Sequence, residues 1–283
     1  MSNGSSCPRK AASVILSTYN QPQWLRKSLI GYEAQTCRDF ELIVADDGST
    51  NETRELVKVM SRRLSFPITH VWQDDLGFRK TRILNKAILV SNTPYLIFSD
   101  GDAIPRNDFV ETHLSMRRSK RFLSNTAIRL AAALSEAITE EDIIEQRCFS
   151  VSWLQAHGHE KTLKNMRKNL KLCRSKILSA ALNAIWFRKI IWNGIGSSAW
   201  REDIMAANGF DERMGYRSED TEFGYRLHNA GIVCKLIRYS TVVLHLNHTR
   251  NYVDAERMKE NRNILGQTRK NGIVRTAWGL CRD

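Results

Sequence analysis

Several absences bound this 283-residue chain before any motif is read. Its six cysteines, at 7, 37, 148, 173, 234 and 281, show no C-x-x-C spacing, so neither a zinc knuckle nor a disulfide framework is suggested. A reducing compartment is the plainer setting. No run of about 18 uncharged apolar residues occurs, and "MSNGSSCPRKAAS" has no hydrophobic core behind its basic residues. Neither a membrane span nor a signal peptide is therefore expected, and the expected location is cytoplasmic. No internal repeat or low-complexity tract appears.

Apolar residues make up 42% of the chain, enough to bury a real core. Net charge is +13 and the isoelectric point is near 9.7, which favours polyanionic partners: nucleic acid, anionic lipid headgroups or phosphorylated substrates. No RNP, KH or zinc-finger pattern accompanies the charge, so nucleic acid is not expected. From Lys161 to Lys189 the chain carries nine Lys or Arg and no acid, while Leu163, Met166, Leu170, Cys173, Ile177, Ala181 and Ile185 recur at helical spacing. A basic amphipathic helix over 161–190 is expected. It reads equally as a core-packing helix with a solvated basic face or as a helix on an anionic membrane, which would place the protein peripherally on the inner face of the cytoplasmic membrane.

Four apolar runs, "SVILS" (13–17), "FELIVA" (40–45), "ITHVW" (68–72) and "YLIFS" (95–99), alternate with helical patterns near 23–35, 51–63 and 80–89. That order predicts an α/β fold, a mostly parallel central sheet flanked by helices. The expected division is a flexible N-terminus (1–11), a nucleotide-binding half (12–104), a second half of the same domain (105–265) extending that sheet, and a C-terminal tail (266–283). Each strand runs into a polar cluster, "STYNQP", "DDGST", "QDDLGFR" and "DGD". In an open α/β sheet such strand ends line the ligand crevice.

Asp and Gly are poor strand formers, so "SDGDAIP" marks a strand that stops where carboxylates meet water or a metal. One D-x-D occurs often in surface turns. A later strand, "VLHLNHTR", adds His245 and His248, and oxygen ligands with imidazole suit Mn²⁺ or Mg²⁺. Such an ion beside a basic crevice suits a diphosphate leaving group.

The motifs "SVILSTYNQPQWLRKSL", "FELIVADDGSTNET", "GFRKTRILNKAI" and "YLIFSDGDAIP" resemble those of family-2 glycosyltransferases with the Rossmann-like GT-A fold. "GSSAWREDIMAANGFDERMGYRSEDTEFGYRL" and "HLNHTR" are similar to the C-terminal region of the β-1,4-galactosyltransferases and of bacterial chondroitin-polymerase modules. The resemblance covers most of residues 12–252. It implies a UDP-sugar donor held by Thr18, Tyr19, Asn20, Asp47, Arg79, Arg82, Asp100 and Gly101, with Asp47 accepting from the uracil N3–H and the arginines at the diphosphate or the donor sugar. It implies Asp102, His245 and His248 as metal ligands, Asp220 as catalytic base and Glu219 beside it on substrate hydroxyls, although Tyr216 stands where the galactosyltransferases have Trp.

Direct displacement with inversion follows for a single galactose or N-acetylgalactosamine, with glucose or N-acetylglucosamine next, passed to a saccharide or lipid-linked saccharide in cell-surface polysaccharide or lipopolysaccharide synthesis. The loop "WNGIGSSAW", with Trp192, Gly196, Ser197 and Trp200, is the expected acceptor site, its tryptophans stacking on sugar or packing in the core. Ser218 is a good N-cap, so the acidic turn after it also has a structural reading. A processive synthase would carry Q-x-x-R-W and membrane spans, and "GQTRKN" does not match. A nucleotidyltransferase would show a glycine-rich phosphate loop, and an inactive binding module would have no need of the acids and histidines.

Overall fold

In the computed structural model, residues 10–185, 192–248 and 254–281 are described. The expected flexible N-terminus thus lies outside them up to residue 9, as do 186–190 of the expected basic helix and residues 249–252 of the C-terminal resemblance.

Strands β1 (Ala12–Thr18), β2 (Phe40–Asp46), β3 (Ile68–Trp72) and β4 (Tyr95–Asp100) alternate with helices α1 (Pro22–Glu33), α2 (Asn51–Arg63) and α3 (Lys80–Val90). They pair in parallel in the order β3-β2-β1-β4. β1 is buried on both faces, so its centre is the continuous apolar run Val14–Leu16 rather than an alternating one, with Ser13, Ser17 and Thr18 at its ends. Val14 and Leu16 point into one hydrophobic core with α1 and α2, and Ile15 into a second one with α3.

Beyond β4 come β5 (Ala103–Pro105), α4 (Phe109–Met116), β6 (Arg121–Ser124), β7 (Ala127–Arg129) and three short helices, α5 (Ala132–Ala137), α6 (Glu140–Ile144) and α7 (Val151–Ala156). They are followed by α8 (Leu163–Asn169), α9 (Lys176–Ile185), β8 (Ser197–Trp200), α10 (Arg201–Ala206), α11 (Glu219–Asn229), β9 (Val233–Leu236), β10 (Val243–His245) and α12 (Ala255–Lys270). The second half extends the main sheet through β8, β6 and β9, with β8 antiparallel to β4. It also builds a separate sheet, β5-β10-β7, so "TVVLHLNH" does not join the main one. Among the described residues no helix is long and apolar enough to cross a membrane.

The single helix expected over 161–190 is corrected. Thr162 caps α8 by accepting the Asn165 N–H, a 3-10 turn covers Leu170–Leu172, and Ser175 Oγ accepts the Leu178 N–H at the start of α9. The buried guanidinium of Arg106 donates to the carbonyls of Lys171, Leu172 and Cys173, holding the chain out of helix there. α12 runs through the expected boundary at 265, and beyond it the chain docks on residues 207–212 through Thr276, Trp278, Leu280 and Cys281.

Candidate active site

At the carboxyl ends of β1, β2 and β4 opens a cleft of about 730 Å³. On one side strand register builds a cluster. β10 runs antiparallel to β5 with His245 opposite Ala103, and the Leu246 N–H donates to the Asp102 carbonyl (2.8 Å). Asp102 Oδ2 consequently lies 2.9 Å from His248 Nε2 and 3.8 Å from His245 Nε2. His245 Nδ1 pairs with the Leu246 carbonyl (2.9 Å), which fixes the tautomer and leaves Nε2 facing the aspartate. All three ligand atoms lie within 4.8 Å of one another, and Asp102 Oδ1 is buried without a hydrogen-bond partner among the described residues. One carboxylate and two imidazoles with an orphaned oxygen fit a divalent Mn²⁺ or Mg²⁺.

In the same cleft a lysine is enclosed by acids. Lys80, at the start of α3, sets Nζ 2.7 Å from Asp100 Oδ1, which also accepts from Ser17 Oγ (2.7 Å). Burial opposes the charge on Lys80, but Asp100, Asp220 and Glu219 more than offset it and its pKa is raised. For Asp100, burial acts upward, while the Lys80 ammonium and the Ser17 hydroxyl outweigh it and lower the pKa.

Glu219 and Asp220 form the first turn of α11. Burial, followed by repulsion from Asp220, pushes Glu219 up to about 8, so it holds its proton at neutral pH. Asp220 is raised by burial and by Asp100, against the pull of Lys80 and of the Gly194 N–H on Oδ2 (3.0 Å). Its Oδ1 is buried and has no hydrogen-bond partner among the described residues. A Cβ at Gly194 would stand 2.8 Å from Oδ2, so only glycine admits this approach.

Thr18, Tyr19, Asn20, Asp47, Asp100 and Gly101 all line the cleft. Asp47 is buried and takes the Gln73 amide (2.6 Å) and the Arg79 N–H (2.8 Å). Burial still leaves its pKa raised. Gly48 beside it has φ +93°, and a side chain there would strike the Asp75 backbone, so the "DDGS" turn requires glycine. Tyr19, a lining residue, donates its hydroxyl to Asp75 (2.8 Å).

Other residues expected in the cleft lie elsewhere. Arg79 and Arg82 line a second cavity of about 240 Å³ with Glu212, Arg213 and Trp278. Helix phase sends their side chains there and Lys80 into the cleft. Trp192 is only 1% exposed and packs edge-on against Phe98 and Phe223, a core residue. Trp200 pairs with Tyr95 at the start of β4, the end remote from the cleft. Ser197 opens β8 and is buried, bonding Ser124 and the Asn193 N–H, and Gly196 packs on Asn125. From the expected acceptor loop only Asn193 and Ile195 reach the cleft.

Lys80 and Arg129 are lining residues that the sequence reading missed, together with Phe78, which meets Tyr216 edge-on (5.8 Å). For Lys80 a signal existed: acids gathered at strand ends need a counter-cation, and "GFRKTR" offers three candidates that only helix phase separates. Arg129 had none, since its place comes from β7 pairing beside His245.

The turn before α11 is strained. Arg217 and Ser218 have φ of +72° and +73°, and Ser218 makes no side-chain cap bond, contrary to its expected N-cap role. Asn261 of α12, fully buried, holds this turn: its Nδ2 donates to the carbonyls of Gly215 (3.1 Å), Tyr216 (3.0 Å) and Arg217 (2.7 Å), and its Oδ1 accepts the Gly215 N–H (3.2 Å). Asn261→Ala is expected to lower kcat about tenfold to a hundredfold through misplacement of the acid pair, with donor affinity unchanged by calorimetry. Glycine at 217 and 218, which adopts left-handed φ freely, should restore part of that rate.

Comparison with known proteins places these features among sugar transferases. The family model described as Glycosyl transferase family 2 matches residues 13–122. The chain is 28% identical over 243 residues to validoxylamine A glucosyltransferase of Streptomyces hygroscopicus subsp. jinggangensis, covering 81% of this chain and 54% of that one. It is 28% identical over 244 residues to the chondroitin synthase of Escherichia coli, covering 77% and 32%. The chain therefore spans about half or less of the length of these two relatives. In fold it is similar to the mannosyltransferase PcManGT of Pyrobaculum calidifontis in complex with GDP-Man and Mn²⁺ (TM-score 0.57, 17% identity, 86% of this chain and 59% of that one). It is also similar to S. aureus TarS 1-349 in complex with UDP-GlcNAc (TM-score 0.58, 15% identity, 90% and 65%).

Proposed function

Because the chain belongs to glycosyltransferase family 2 and has the GT-A fold, we propose that it is an inverting, metal-dependent transferase. It moves one hexose or N-acetylhexosamine from a UDP-sugar to a saccharide hydroxyl in polysaccharide or lipopolysaccharide synthesis. The observation that carries this is a single cleft lined both by Asp102, His245 and His248 and by Lys80, Asp100 and Asp220. The first group suits a cation beside a diphosphate, and Asp220 in the second a proton acceptor.

Asp47 and the turn around Gly48 bound the base pocket, where an acceptor oxygen toward N3–H favours uracil; TarS, similar in fold, is known with UDP-GlcNAc. Asp102, His245 and His248 would hold Mn²⁺ or Mg²⁺, which when bound supplies charge neutralisation to the diphosphate. Lys80 and Arg129, not Arg79 and Arg82, are the lysine and arginine positioned to add to it. Asp220 Oδ1 accepts the proton of the acceptor hydroxyl as that oxygen attacks the anomeric carbon from the face opposite UDP, and the bond to the departing diphosphate breaks in the same displacement. Glu219, protonated, donates a hydrogen bond to a sugar oxygen. Galactose or N-acetylgalactosamine is the favoured sugar, on the resemblance of "MGYRSEDTE" to the galactosyltransferases.

A panel of UDP-sugars screened for manganese-dependent UDP release tests the assignment. Asp102→Ala is expected to lower the Mn²⁺-dependent rate about a hundredfold or more and to weaken Mn²⁺ binding measured by calorimetry. Native turnover by that variant, or equal rates in chelator, would remove the metal from the reading.

A further inference from the structure

Helix α9 faces the wrong way for a water-soluble surface. The residues it turns inward are polar: Ser179 and Asn183 are buried, and Asn183 donates to Ser240 Oγ (2.9 Å) and accepts the Tyr239 N–H (3.2 Å). Its apolar residues point outward, with Ile177 86% and Ile185 70% exposed and Leu178 beside them. α8 and the turn after it continue the pattern through Leu163, at 81%, with Met166 and Leu170. Surface helices of a soluble domain bury their apolar stripe. Exposed apolar patches with a polar rim mark interaction surfaces.

Loose attachment does not explain the exposure. Arg106, buried, donates to three carbonyls of residues 171–173 and to that of Ser240 (2.7 Å), and Leu172 is buried beneath the turn. The segment is docked through its polar side and, among the described residues, nothing covers its apolar side.

Charge selects the occupant. Residues 161–185 contain seven Lys and Arg and no Asp or Glu, and Lys161, Arg167, Arg174 and Lys176 are exposed. Two copies meeting through this face would set like charges against each other, whereas an anionic bilayer complements both the cations and the apolar side chains. We propose that residues 163–185 form a docking platform for an anionic lipid bilayer. Leu163, Met166, Ile177 and Ile185 enter the boundary between headgroups and acyl chains, and the basic side chains lie among the phosphates.

The platform also touches the cleft. Lys171 Nζ donates to the carbonyl of Ala127, a lining residue, at 2.9 Å. A docked chain thereby has the cleft rim near headgroup level, which suits a saccharide acceptor carried on a lipid. That corollary rests on the transferase reading, whereas the docking does not.

Flotation of the full chain with vesicles tests it, without donor or metal. Binding is expected to vesicles of phosphatidylglycerol in phosphatidylcholine at low salt, at least tenfold weaker to pure phosphatidylcholine or in about 0.5 M salt. Leu163→Glu combined with Ile177→Glu should reduce binding at least tenfold, with the melting temperature unchanged because both side chains are exposed. Absence of binding at low salt, equal binding to neutral vesicles, or indifference to the double variant overturns the proposal. So does a dimer in solution that the same variant dissociates.

Discussion

Asp220→Asn is expected to lower kcat about a thousandfold, within the range for loss of a general base, while leaving UDP affinity unchanged. Asparagine keeps the shape, and its Oδ can still accept the Gly194 N–H that Asp220 Oδ2 accepts. What it lacks is a basic oxygen at the position of Oδ1, which has no hydrogen-bond partner among the described residues. A stabilising role at the start of α11 would show instead as a lower melting temperature with a preserved rate.

The pH profile separates the two. Burial and the Asp100 charge raise the Asp220 pKa above its ordinary 3.8, so the native rate should climb with pH through that raised value as the base loses its proton. In Asp220→Asn this acid limb should vanish from the residual rate. If the rate survives with its limb intact, another group is the base, and Glu219 is the neighbour to replace next.

Most of the first hundred residues was legible because their structure is local. The run at 68–72 is β3, the pattern at 51–63 is α2, and the other strands and helices begin and end within two residues of the expected bounds. Strands buried on both faces are continuous apolar runs, and each must stop where polar residues begin. That Asp102, His245 and His248 gather was legible for a different reason, since "DGD" and "HLNH" carry ligand-type residues at strand ends. Asp102 and His248, 146 positions apart in the chain, meet because β10 pairs with β5.

What misled was surroundings rather than residue type. "WNGIGSSAW" reads as a loop by its Gly and Ser, yet Ser197–Trp200 is a strand between β4 and β6, and Trp192 fills the space among Phe98, Phe122 and Phe223. Small residues there let β8 pack tightly, a demand set by neighbours from distant segments. The periodicity over 161–190 was real, but its apolar stripe faces outward and Arg106, 65 positions upstream, interrupts the helix at Lys171. Asn261 carries no motif at all. Its four hydrogen bonds exist only because α12 packs against α11.

The largest loss of stability is expected from Arg226→Met, about 3–5 kcal/mol by urea unfolding. Arg226 and Glu222, one turn apart on α11, are 0% and 1% exposed, with Nε 2.9 and 3.0 Å from the two carboxylate oxygens. Arg226 also donates to the Ala207 carbonyl at the end of α10, and Glu222 accepts from Thr268 of α12 (2.8 Å). Methionine fills most of the volume but leaves Glu222 in the core with, among the described residues, the Thr268 hydroxyl as its remaining hydrogen bond, and a poorly compensated buried carboxylate costs far more than the pair gains. The double variant Glu222→Leu with Arg226→Met should therefore recover much of the loss, a non-additivity that a double-mutant cycle reads directly. Since α11 bears Glu219 and Asp220 on its first turn, both variants should also show whether the pair orients the helix: kcat depressed in the stable double variant, at constant UDP affinity, would mean that the ion pair serves geometry at the acids beyond its share of stability.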